Sequence, residues 1–180
     1  MMDFARVHAP ILGLALALGL AACSGDPTGP RPIPIEETVF AGFLGIDLAQ
    51  MTRLETGVYI QDIVVGEGDA AAVGDTLTVH YSLWLPDGRL IQDSRAIGDE
   101  PVELVLVGPP QGVIPGWVDG IPGMREGGTR KLVIPYDRAY GPYDVRDRNG
   151  TVVIPAYSNL VFEVELVEVK RPAEEEPPAD

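Results

Sequence analysis

From residue 57 onward the order of apolar and polar side chains is that of β-strands. Residues 58–65 (Val-Tyr-Ile-Gln-Asp-Ile-Val-Val) predict one strand, closed by the turn Gly66-Glu67-Gly68-Asp69. Residues 76–85 alternate most regularly. Leu77, Val79, Tyr81, Leu83 and Leu85 fall on one side; Thr76, Thr78, His80, Ser82 and Trp84 fall on the other, expected to face solvent. Pro86-Asp87-Gly88 turns the chain, and a further strand begins in residues 89–94. Residues 102–107 and 129–134 predict two more, the second stopped by Pro135. The last spans 159–169, with Phe162, Val164 and Leu166 facing one way and Glu163 and Glu165 the other.

A helix signal comes only at Gly112-Val113-Ile114-Pro115-Gly116-Trp117. Pro115 has the fixed φ that suits the first helical position, and Gly116 leaves room beside the indole. Pro122-Gly123 ends or bends the helix early. The expected fold class is α+β: a mostly antiparallel sheet that curls around one short helix to bury it, with a pocket between helix and sheet. Trp117 is then the floor of either the core or the pocket, and this stretch alone leaves both open.

Upstream the pattern changes. Residues 11–22 are apolar or small, too short to span a bilayer and fitting the apolar region of a signal peptide. Leu20-Ala21-Ala22-Cys23 resembles the bacterial lipobox. The organisation expected is a signal peptide over 1–22, a lipidated Cys23 and Pro-rich tether over 23–37, an N-terminal extension over 38–56, one domain over 57–170, and a solvated tail rich in Glu and Pro over 171–180. The extension carries Phe40, Phe43 and Leu44, which suit docking on the domain or contact with a partner; the sequence does not choose between them.

Composition then removes whole classes of function. The net charge of −14 argues against nucleic acid and against anionic membrane surfaces. Cys23 is the only cysteine, so an internal disulfide is impossible. An exported chain with a single unpaired thiol suits lipidation, and two or more acyl chains give a stable anchor. The mature chain keeps one histidine, His80, so a histidine metal cluster is excluded. His80 and Ser82 lie two apart on one strand, where side chains run parallel and converge poorly, and no Gly-x-Ser-x-Gly elbow exists. No phosphate-binding glycine pattern is present either. The suggestive side chains that remain are aromatic: Tyr81, Trp117, Tyr136, Tyr140 and Phe162.

Several short motifs run in order along residues 57–170. They are Val79-His80-Tyr81, Asp87-Gly88-Arg89, Val113-Ile114-Pro115-Gly116-Trp117, Met124-Arg125-Glu126-Gly127-Gly128, Ala139-Tyr140-Gly141, Ile154-Pro155 and Leu160-Val161-Phe162-Glu163-Val164-Glu165-Leu166. Together they resemble the FKBP-type peptidyl-prolyl cis/trans isomerases. The resemblance implies a curved antiparallel sheet around one short helix. It implies Trp117 as the pocket floor, with Tyr81, Phe162, Val113 and Ile114 lining it. Tyr140 would donate its hydroxyl to a substrate carbonyl, the Ile114 N–H would give a second hydrogen bond, and Ile154 would close one side. Ile91 and Val102 stand where the family usually has aromatic residues. Gln92 stands where many members place a pocket Asp, with Asp93 one residue later. Either the strand shifts and Asp93 substitutes, or the pocket lacks that carboxylate.

By the same resemblance the chain needs no cofactor and no metal, and its partners are proline-containing polypeptides. It would be a monomer assisting the folding of exported proteins, lipid-anchored in the bacterial cell envelope. Ser24 after the Cys resembles the pattern for outer-membrane sorting, facing the periplasm. Gln92, Ile91 and Val102 favour an alternative more than in a standard member: a binding module or holdase that keeps the fold but turns over little.

Overall fold

The computed structural model describes residues 31–172. The expectations for the signal peptide, Cys23, Ser24 and most of the acidic tail lie outside those residues.

The described residues form nine strands and one α-helix; six of the strands are those the alternation predicts, and Thr52–Arg53, Val145–Arg146 and Val152–Ile154 are additional. In chain order they are β1 (Thr52–Arg53), β2 (Tyr59–Val64), β3 (Thr76–Trp84), β4 (Leu90–Asp93), β5 (Val102–Val105), α1 (Pro115–Gly120), β6 (Thr129–Ile134), β7 (Val145–Arg146), β8 (Val152–Ile154) and β9 (Leu160–Lys170). The main sheet runs β1-β2-β6-β9-β3-β4, with β5 also pairing β3, and its pairings are antiparallel. β7 and β8 form a separate small hairpin.

The inner face of the sheet carries Leu77, Val79, Leu83, Leu132, Phe162 and Leu166, and it packs on Trp117 and Ile121 of α1 and its C-terminal cap. Pro115 opens the helix at its first turn, as its fixed φ favours. Two glycines let so short a helix sit hard against β6. A Cβ on Gly116 would collide with Ile134, and one on Gly120 would collide with Leu132. The last helical turn has a cation beneath it: Arg130, 5% exposed, donates from Nη1 to the Gly120 carbonyl at 2.8 Å. The same guanidinium grips Asp62 with two hydrogen bonds, of 2.6 and 3.0 Å.

The outer face is covered by a strap that begins at Ile35, in the segment read as a tether, and continues through the extension, for which docking is one of the two readings the sequence leaves open. Ile35, at 3% exposure, forms a second apolar cluster with Met51, Tyr59 and Val133, and Phe40, Ile46 and Leu48 pack against it. Packing therefore starts at Ile35, inside the segment assigned to the tether, and residues 38–56 dock on the domain. The physical reason is that Tyr59 pairs with Val133 across β2 and β6, placing two large apolar groups on the face away from α1. A strap over them removes that area from water at about 25 cal/mol per Å². Polar ties fix its path. Lys131 Nζ donates to the Leu44 carbonyl at 2.7 Å, and the Ala41 N–H donates to the Pro86 carbonyl at 2.8 Å. Phe43 lies against Gly88, where any Cβ would strike its ring.

His80 departs from the alternation reading. It is 9% exposed instead of facing solvent, with Nδ1 3.2 Å from Ser94 Oγ. β3 is a central strand, flanked by β9 and by β4 and β5. The turn after β4 brings Ser94 onto His80, and Arg95 reaches across to Glu165, the cross-strand neighbour of His80, at 2.6 Å.

Candidate active site

Trp117, 4% exposed, is the floor of a cavity of about 280 Å³ between α1 and the inner sheet face. Tyr81 meets it edge-on, with ring centroids 5.5 Å apart and an interplanar angle of 90°. Phe162 meets it at 5.4 Å and 84°. Tyr81 and Phe162 stand 6.3 Å apart and close the triangle. Edge-to-face aromatic packing holds such rings in fixed mutual orientation. Phe162 is placed by the ladder itself, between Leu83 on β3 and Leu132 on β6.

The walls and rim come from three places. Leu83, Leu104 and Val102 come from the sheet; Gly112, Val113 and Ile114 come from the loop into α1; Tyr140 comes from the loop after β6. The Val113 N–H donates to the Val107 carbonyl at 2.8 Å and closes the first loop. Ile114 is the helix N-cap, and its N–H finds no acceptor among the described residues. The Tyr140 hydroxyl likewise has no partner among them. Both residues line the cavity.

Burial favours the protonated form of both phenols at the site. Burial pushes the Tyr140 phenol above its ordinary value. Burial does the same to Tyr81, with Tyr140 adding to it, while the neighbouring Gln92 amide opposes both. Among the described residues no group of three or more His, Cys, Asp or Glu side chains is placed to hold a metal ion.

The residues anticipated from sequence divide cleanly. Tyr81, Trp117, Tyr140, Phe162, Val102, Val113 and Ile114 meet around the cavity. Ile91, Asp93 and Ile154 do not line it. Ile154 is 2% exposed and belongs to the core, and Ile91 packs against that core. Asp93 pairs with Ser82, and its Oδ1 accepts from the Arg95 N–H at 2.9 Å. Gln92, Leu83, Leu104 and Gly112 line the cavity in addition to the anticipated set. Leu83 is legible in the sequence, since it shares a strand face with Tyr81. The inward turn of Gln92 is not: Trp84 pairs with Leu90 and Leu83 with Gln92, so Ile91 is the extra residue of a bulge that resets the alternation.

A larger cleft, of about 610 Å³, runs between the strap and the turns at Pro86 and Tyr157. It contains none of the aromatic triangle.

The sequence model of the FKBP-type peptidyl-prolyl cis-trans isomerases matches residues 68–167, more than half of the chain. The chain belongs to that family. Over 115 residues it is 41% identical to the FKBP-type peptidyl-prolyl cis-trans isomerase FkpA of Escherichia coli K12, covering 64% of this chain and 38% of that protein. It is 42% identical over 114 residues to an FK506-binding protein of Neisseria meningitidis serogroup B, covering 63% of this chain and 96% of that one. The chain thus matches well under half the length of FkpA and nearly all of the smaller relative. Among solved structures, the crystal structure of FkpA aligns with a TM-score of 0.58 at 38% identity, over 68% of this chain and 52% of that one. AtFKBP13 aligns at 0.58 with 33% identity, over 66% and 97%. The FKBP-like fold is therefore established twice, by sequence and by shape.

Proposed function

We propose that the protein is a peptidyl-prolyl cis/trans isomerase that assists exported proteins by binding X–Pro segments in the cavity above Trp117. The observation that carries this is the pairing of an aromatic floor with two rim residues, Ile114 and Tyr140, whose N–H and hydroxyl have no partner among the described residues.

An X–Pro bond turns over in tens of seconds because rotation must break amide resonance. The planar amide is strongly dipolar, and the twisted transition state has lost much of that charge separation. An apolar wall of Trp117, Phe162 and Leu104 disfavours the planar form relative to the twisted one. The two donors hold the flanking carbonyls and orient the chain. A thousandfold acceleration needs only about 4 kcal/mol. Nothing in this step calls for a nucleophile or a change of protonation.

Gln92 supports a second reading. A neutral amide stands in the cavity where the family resemblance implies a carboxylate. On that reading the fold is a binding module or holdase with little turnover.

The same proposal places the mature chain as a monomer anchored in the bacterial cell envelope through acylated Cys23, on the outer membrane facing the periplasm. Leu20-Ala21-Ala22-Cys23 and Ser24 support it. Cys23→Ser should release the protein into the soluble fraction, and unchanged fractionation would refute the anchor. For the cavity, a proline peptide and its Pro→Ala counterpart are titrated against the protein. Binding of the first and not the second is expected; equal binding of both would count against an X–Pro site.

A further inference from the structure

Asn159, at the entry to β9, is only 4% exposed. Its carboxamide makes three hydrogen bonds. Oδ1 accepts from the Tyr136 N–H at 3.0 Å, while Nδ2 donates to the Ile33 carbonyl at 2.8 Å and to Thr38 Oγ1 at 2.9 Å. The Thr38 hydroxyl itself donates to the Pro34 carbonyl at 2.8 Å. A carboxamide has two acceptor sites and two donor hydrogens, so these partners fix which way it points.

The other end of the network is the Tyr140 loop. The Tyr136 carbonyl accepts from the Gly141 N–H at 2.8 Å, and the Gly141 carbonyl accepts from the Tyr157 N–H at 2.9 Å. The Tyr136 and Tyr157 rings meet edge-on at 5.4 Å. Tyr157 has φ of 60°, a left-handed conformation that a bulky residue adopts only when its surroundings impose it. Tyr140 is thus enclosed between Tyr136 and Gly141, and both are pinned. Its own ring is 39% exposed, so the backbone sets the hydroxyl position more than side-chain packing does.

We propose that Asn159 is a positioning residue for Tyr140. It couples the strap at Ile33 and Thr38 to the loop that presents the hydroxyl, which makes residues 33–38 part of the active-site scaffold. The inference rests on the isomerase reading of the cavity. Its effect is transmitted through geometry, where a displacement of about 1 Å can cost up to about a hundredfold in rate.

The test is a double-mutant cycle on one proline peptide with the full chain: wild type, Asn159→Ser, Tyr140→Phe and the double variant, each checked for a complete melting transition above the assay temperature. Asn159→Ser should lower kcat/KM about fivefold with Tyr140 present and less than about twofold with Tyr140→Phe, because groups coupled through one hydrogen-bond network and a shared backbone shift are not additive. Equal loss in both backgrounds would mean a purely structural role and overturn the proposal, as would no loss in either. If Asn159→Ser fails to fold, Thr38→Val, which leaves the Tyr136 bond in place, goes through the same cycle: a loss that depends on Tyr140 supports the proposal, and an equal loss or none overturns it. A wild type without turnover would overturn the functional reading instead. The Gly141 amide resonance then decides this inference: a clear shift in the variant supports it, and an unmoved resonance overturns it.

Discussion

Gln92 stands directly across the ladder from Leu83, and its side chain enters the cavity floored by Trp117. Asp93, one residue on, stands across from Ser82 and turns to the other face, where it accepts from the Arg95 N–H. The amide therefore occupies the position open to a carboxylate, and the carboxylate beside it is spent on a turn. Gln92→Leu replaces the one amide side chain that lines the cavity and should lower kcat/KM about fivefold, the equivalent of about 1 kcal/mol. Asp93→Asn should change it less than about twofold. The reverse order, measured on one proline peptide, would mean that Asp93 serves the site.

The contrast at Gln92 marks how far the sequence carries. Alternation along β3 and β9 identifies Tyr81, Leu83 and Phe162 as inward-facing, and Pro115 with Gly116 identifies the helix start. These features are local, and residue order encodes them directly. The bulge at Ile91 is a property of two paired strands, and β4 alone does not reveal it. Burial of His80 depends on a turn fourteen residues later, at Ser94. The start of the strap escapes a sequence reading for a related reason: the run of prolines excludes a strand or long helix, but it does not exclude packing of the single side chain Ile35 on Tyr59 and Val133.

That packing makes the boundary of the tether measurable. Deleting residues 24–32 leaves Ile33, Thr38 and the packed Ile35 in place and should leave the melting temperature unchanged within about 1 °C. Extending the deletion to residue 35 also removes Ile35 and the Ile33 carbonyl that Asn159 uses. Loss of one buried Ile costs about 2–4 kcal/mol, so a fall of roughly 5–15 °C is expected. Equal melting temperatures for the two deletions would mean that the strap does not support the fold.

Phe162 tests the dry wall. It is 3% exposed, and its ring packs against both Trp117 and Tyr81. Phe162→Tyr adds a hydroxyl to a surface that must stay apolar, at a cost of about 1–3 kcal/mol if unpaired. Turnover should fall at least about fivefold while a cooperative thermal transition survives. Near-normal turnover would show that the wall need not be dry.

Two pH profiles separate stability from chemistry. The Tyr59 hydroxyl donates to Glu36 Oε1 at 2.7 Å. That bond, and then its own backbone N–H, hold Glu36 below the ordinary carboxylate value of 4.5. Burial, and then Glu36, push Tyr59 above 10.0. The folded chain thus binds the Glu36 proton less tightly than the unfolded chain and keeps the Tyr59 proton more tightly. The stabilisation is whole between 4.5 and 10.0. It is lost as pH falls through the folded value of Glu36, and as pH rises through that of Tyr59. The difference in melting temperature between wild type and Tyr59→Phe should therefore shrink on acidification below 4.5. A difference that grows would contradict the pairing. Activity should behave otherwise: with burial raising the Tyr140 phenol above its ordinary 10.0, any alkaline decline of kcat/KM should be centred above 10.0. A decline centred below pH 9 or so would mean a different ionising group in the step.

The central claim is that the cavity speeds rotation about an X–Pro bond and does more than hold the peptide. The cis/trans exchange rate of a proline peptide, measured by magnetisation exchange with the full chain present in catalytic amount, tests this most directly. An exchange rate raised far above the uncatalysed scale of tens of seconds is expected, returning toward it in Phe162→Tyr. Saturable binding of the same peptide with an unchanged exchange rate would contradict the account and leave the chain a binding module on an isomerase fold.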